Sequence, residues 1–120
     1  MKYLCLVYAE PGAFDQLDAA AKFRLDTDSL DYDKQLQREG SFIAAEALVS
    51  TSEAQTVRVR PERTTFTDGP FAETREHLCG FILIEARDFN DALRIAADIP
   101  MARIGSVEVR PVLQIVPVPA

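Results

Sequence analysis

The side chains that could move a proton are few and widely spaced. Asp68 opens the stretch Asp68-Gly69-Pro70-Phe71, in which Gly relaxes steric limits and Pro fixes φ, so the chain must turn there rigidly. A carboxylate held by such a turn beside an apolar cleft is placed to take or give a proton, and it is equally suited to accept a hydrogen bond from its own turn. His77 is the only imidazole and stands nine positions further on, before an apolar run. It can exchange a proton near neutral pH, or serve as an ordinary surface side chain. Tyr8, Glu46, Phe71 and Arg110 are the aromatic or polar-tipped groups most easily aimed into a cleft, each also explicable as packing or surface.

Other chemistries find little support. One histidine and no Cys-x-x-Cys argue against a metal site, and no glycine-rich phosphate loop follows a strand, so no metal and no cofactor are expected. Cys5 and Cys79 each lie inside an apolar run and read as buried thiols. The net charge of −6 disfavours nucleic acid as a partner, although Arg58, Arg60 and Arg63 form a local basic cluster. The apolar N-terminal run is too short to span a bilayer, which leaves the protein cytoplasmic by expectation, with no membrane partner.

The elements that must position these groups follow from periodicity. Lys2–Ala9 is nearly continuous apolar sequence, as in a strand covered on both faces. Leu17, Ala21, Leu25, Tyr32 and Leu36 fall on one stripe, with Phe23 and Leu30 alongside, which predicts a helix from Gln16 to Glu39 with Asp15 as N-cap and Gly40 as its stop. Ser41–Leu48 reads as a second strand. Alternation through Val57–Arg60 and Thr64–Thr67 predicts a hairpin around Pro61-Glu62, and Leu78–Ala86 a buried strand. Asp88 caps a helix whose apolar face would hold Phe89, Ala92, Leu93, Ala96 and Ile99, ended by Pro100. In Ser106–Arg110, Val107 and Val109 alternate with outward Glu108 and Arg110, and the proline-punctuated Val112–Val118 suits only an edge or an arm.

That order predicts one α+β domain over residues 1–120, a ferredoxin-like β-α-β-β-β-α-β sandwich with helices on one sheet face. The runs Leu4–Val7 and Phe81–Ile84 would leave apolar side chains on the other face, and a second copy of the sheet is its simplest cover.

Asp68-Gly69-Pro70-Phe71 with Ala72-Glu73-Thr74, then Gly80-Phe81 and Ser106-Val107-Glu108-Val109-Arg110-Pro111, resemble the DGPF branch of the YCII-related family over nearly the whole chain. The resemblance implies a homodimeric α/β barrel with a cleft between sheet and helices. It implies that an Asp matched here by Asp68 pairs with a helix-1 His. This chain departs from the pattern there: the corresponding position falls at about Ser29, which without a neighbouring base would at most hydrogen-bond a ligand. Members of the wider family include a lyase-like dehalogenating enzyme, which implies binding or acid-base processing of a small, partly apolar molecule, with Asp68 moving the proton and His77 or Tyr8 orienting the substrate. DGPF proteins also resemble partners of extracytoplasmic-function sigma factors, which implies, as an alternative, a regulatory interaction module.

Overall fold

A computed structural model describes residues 1–119. Six strands, β1 (Lys2–Ala9), β2 (Phe42–Ala47), β3 (Gln55–Val59), β4 (Thr64–Asp68), β5 (His77–Glu85) and β6 (Ser106–Pro111), alternate with two helices, α1 (Ala19–Arg38) and α2 (Phe89–Ala97). Four strands form one antiparallel sheet in the order β2-β5-β1-β6, while β3 and β4 pair only with each other. Setting that hairpin aside, the result is the ferredoxin-like arrangement: two β-α-β halves interleaved, with the first and third sheet strands in the centre.

The helices lie on one face because only that face offers a continuous core. Tyr3, Cys5 and Val7 of β1 and Ile82 and Ile84 of β5 pack with Tyr32 and Leu36 of α1 and Ala92, Ile95 and Ala96 of α2. Every second residue of β1 is buried, and the residues between, Leu4, Leu6 and Tyr8, are half-buried on the face without helices. Cross-strand register adds to that open face: Leu4 lies beside Leu83 and Arg110, Leu6 beside Phe81 and Glu108, and Phe81 beside Glu46. The shortest dimension is 19 Å, which accommodates a sheet and one helical layer and nothing more.

The helices differ from their sequence expectation in two respects. Helix α1 begins at Ala19, not Gln16, and its N-cap is Asp18, whose carboxylate accepts from the Ala21 N–H at 2.8 Å. Asp15 falls instead in a run of turns from Pro11 to Gln16, in which Gly12 has φ +83° and its carbonyl accepts from the Gln16 N–H. On this shortened helix Leu25, Tyr32 and Leu36 reach the core, whereas Phe23 and Leu30 point to solvent, 74% and 63% exposed. In α2 the buried stripe is Ala92, Ile95, Ala96 and then Ile99, with Phe89 and Leu93 at its rim. Gly40, with φ +78°, ends α1 as expected.

The hairpin is turned inside out relative to a core strand pair. Arg60 and Arg63 close its turn with paired backbone hydrogen bonds of 2.9 and 3.2 Å. Thr56, Arg58 and Thr65 are half-buried, while Val57, Val59 and Phe66 face solvent. Beyond β6 the chain leaves the sheet after the Val112 N–H donates to the Lys2 carbonyl at 3.0 Å. Among the described residues no helix is long and apolar enough to cross a membrane.

Candidate functional site

Three strands meet at one end of the sheet: β1 finishes at Tyr8 and Ala9, β5 starts at His77, and β6 starts at Ser106. The loop from Gly69 to Glu76 arrives at this end, and its last residues help to line a cavity of about 550 Å³ together with the end of β1. The lining side chains are Tyr8, Glu10, Thr74, Arg75 and Glu76. Arg75 Nε donates to Glu10 Oε1 at 2.7 Å, and the Ser106 hydroxyl donates to Glu76 Oε1 at 3.3 Å. The Thr74 hydroxyl donates to the Glu76 carbonyl, which ties the loop to the strand entrance. A phenol, a guanidinium and two carboxylates thus converge on one concave, solvent-open space.

The Asp68 turn sits at the other end of that loop. Gly69 adopts φ +98°, a conformation open to glycine, and its N–H donates to the Ala54 carbonyl at 2.8 Å. Thr56 returns a hydroxyl to the Gly69 carbonyl at 3.0 Å. The Asp68 carboxylate is exposed and accepts from the Gln55 amide at 3.0 Å across the base of the hairpin. Phe71 is 81% exposed.

The remaining sequence candidates separate into two places. Glu46 and Arg110 lie with Tyr8 on the open sheet face, Glu46 on β2 and Arg110 on β6, at opposite edges of the apolar patch formed by Leu4, Leu6, Phe81 and Leu83. Arg110 Nε approaches Glu108 at 3.4 Å. Ser29 donates its hydroxyl to the Leu25 carbonyl at 2.8 Å within its own helix. His77 is half-buried with Nδ1 3.2 Å from the Thr51 hydroxyl. Asp68 and His77 therefore each hydrogen-bond elsewhere and share no contact.

Sequence reasoning did not single out Glu10, Thr74, Arg75 or Glu76 as site residues, taking Arg75 and Glu76 as solvated. Their signal was positional: all stand within three residues of Tyr8 or His77, so any fold that paired β1 with β5 antiparallel had to bring them together. Burial pushes the Cys5 thiol up to about 11; Cys79 is only half-buried, not the buried thiol expected from its apolar run, and its thiol is pushed upward for the same reason. No group of three or more His, Cys, Asp or Glu side chains is placed to hold a metal ion among the described residues.

The model of the YCII-related domain matches residues 1–116. The chain belongs to the YCII-related family. Within the curated relatives of this YCII-related chain, an uncharacterised protein of Rhizobium meliloti (strain 1021) is 47% identical over 66 residues, 53% of this chain and 53% of that protein. The match thus spans about half the length of each. Among solved structures, 5-chloro-2-hydroxyhydroquinone dehydrochlorinase (TftG) from Burkholderia phenoliruptrix AC1100, in complex with 2,5-dihydroxybenzoquinone, superposes with a TM-score of 0.55 at 12% identity over 94% of both chains. At that identity the likeness shows a shared fold.

Proposed function

We propose that this YCII-related protein is a cytoplasmic homodimer that binds and processes a small, partly apolar molecule in the cleft at the Tyr8 end of the sheet. The observation that carries this reading is the convergence of Tyr8, Glu10, Arg75 and Glu76 on one cavity of about 550 Å³, a volume suited to a compact ligand. Such a set suits acid-base chemistry on a hydroxylated ring. A carboxylate takes the proton, the Tyr8 hydroxyl donates to a ring oxygen, and Arg75 balances the anion that forms. Asp68, carried by the same loop whose other end forms this lining, is the proposed further acid-base or orienting group, with His77 at the strand entrance. The similar fold of a dehydrochlorinase captured with 2,5-dihydroxybenzoquinone supports a ligand of this size and polarity.

Dimerisation completes the picture. The half-buried row of Leu4, Leu6, Phe81 and Leu83 is covered when two open faces pack together, closing a dimeric α/β barrel.

A thermal-shift experiment with 2,5-dihydroxybenzoquinone and related hydroxylated aromatic acids tests the site. A ligand at about a hundred times its Kd stabilises the native state by about 2.7 kcal/mol. The shift is expected in wild type and in Ser29→Ala, and is expected to be lost in Glu76→Gln, Tyr8→Phe and Asp68→Asn. Absence of any shift in a folded wild-type dimer would remove the small-molecule reading.

One observation favours a second reading. The hairpin exposes Arg60 and Arg63 at its turn and Val57, Val59 and Phe66 along one face, with Arg58 half-buried on the other, as an interaction module for an acidic partner such as an extracytoplasmic-function sigma factor would present them. Co-purification of a sigma factor with wild type, and its loss on Phe66→Asp, would support this alternative.

A further inference from the structure

The molecule is more extended than its length requires. Its radius of gyration is 16.9 Å, against about 14 Å for a compact chain of this size. Part of the excess is the run after β6. Within residues 112–119, Leu113, Ile115, Val116 and Val118 are 82, 82, 69 and 87% exposed. Four large apolar side chains in six residues are far more than scattered surface hydrophobes, and a segment of this kind marks an interface. Pro117 and Pro119 fix φ at two positions near its end, which lowers the entropy given up there on docking. The missing proline N–H groups restrict it to the outside of a sheet.

The sheet has an edge to receive it. Strand β2 pairs only with β5, so its outer row of backbone groups lies unpaired among the described residues. Ile43, the residue at its bulge near the start of the strand, is 40% exposed. Within one copy β2 and β6 are opposite edges, separated by β5 and β1. The two-fold arrangement that stacks open faces with β2 over β6 of the second copy brings the two edges side by side and antiparallel. It also places Glu46 on the side of Arg110 from the second copy, whereas β2 over β2 would set Glu46 against its own counterpart.

We propose that residues 112–118 are an exchanged strap: in the dimer the arm of each copy continues from β6 and is buried on the second copy where the free β2 edge begins. The occupant of this surface is a second copy of the same chain, and the strap rests on the dimer proposed above. It gives the arm its missing apolar cover beside the start of β2, whose edge is paired by β6 of the second copy.

Photo-crosslinking separates the strap from the dimer. Ile115 is replaced by p-benzoylphenylalanine, unlabelled and ¹⁵N-labelled chains are co-refolded, and crosslinked peptides are read by mass spectrometry alongside light-scattering mass. The expected result is a dimer whose mixed-isotope crosslinks join position 115 to residues 39–47 of the other chain. Truncation after Pro111 is expected to raise the dimer dissociation constant about tenfold or more. A dimer whose crosslinks stay within one chain, or reach another surface, overturns the strap and leaves the dimer standing. A monomer by light scattering overturns both.

Discussion

Asp91 is the one charged side chain in the core among the described residues, 9% exposed, and its surroundings explain why it is tolerated. It accepts from the Arg87 backbone N–H at 3.0 Å and from the guanidinium groups of Arg87 and Arg94, and these contacts hold its carboxyl well below the usual carboxylate range. Because the folded state lowers this pKa, its stabilisation is complete above the unfolded value of about 3.9 and is lost as pH falls toward the folded one. Asp91→Asn is therefore expected to lower the urea midpoint at pH 7, and the gap from wild type to narrow below about pH 4. The thiols give a second test. With Cys5 pushed from 9.0 to about 11, its thiolate fraction near neutral pH falls about a hundredfold, so native protein should react with an aromatic disulfide reagent far more slowly than unfolded protein. Prompt labelling of Cys5 without unfolding would contradict its burial. At this scale residue type singled out Asp68 and Tyr8 as candidates, but not Glu10 or Glu76, which join Tyr8 in the cavity lining only through neighbours distant in the chain.

Between elements, a hydrogen bond ties the two helices together above the sheet. The Tyr32 hydroxyl of α1 donates to the Ile95 carbonyl of α2 at 2.6 Å, and burial raises its pKa to about 12. That carbonyl keeps a second donor, the Asp98 N–H at 3.2 Å, so Tyr32→Phe leaves no orphan acceptor and should cost only about 1 kcal/mol in urea unfolding. Gly80 is a tighter constraint. A Cβ there would lie 2.6 Å from the Glu46 carbonyl oxygen and 3.2 Å from Ala47 Cα, both backbone atoms of β2. Gly80→Ala must therefore push β2 from β5 and is expected to cost about 1–3 kcal/mol, whereas alanine at Gly40 would meet no atom and suffer only its positive φ. The strands and α2 were legible from alternation and capping. The start of α1 was not, because Asp15 and Asp18 are equally good caps in sequence and only the turn begun by Gly12 selects between them.

For the whole molecule, the open sheet face is the decisive feature. Leu4, Leu6, Phe81 and Leu83 form an apolar patch flanked by Glu46, Glu108 and Arg110, the pattern of an interface core with a polar rim. Leu6→Glu places a charge in the middle of that patch without touching the helix-side core. It is expected to convert a dimer to a folded monomer by light scattering while circular dichroism is unchanged. A dimer that survives the substitution would exclude this face as the interface. The hairpin and the arm belong to the same scale, since their exposed apolar residues have no cover within one copy.

The order of elements, the two-sided character of the sheet and the turn at Asp68 were determined by the sequence alone, because they rest on period-two and helical repeats, caps, glycine and proline, all of which act within a few residues. Which side chains share a site was decided only by tertiary structure. Pairing β1 with β5 brings Glu10 beside Arg75, 65 positions apart, while Asp68 bonds to Gln55 and His77 to Thr51. Local physical chemistry specifies the direction a strand presents to its neighbour; long-range register specifies which residue it meets there.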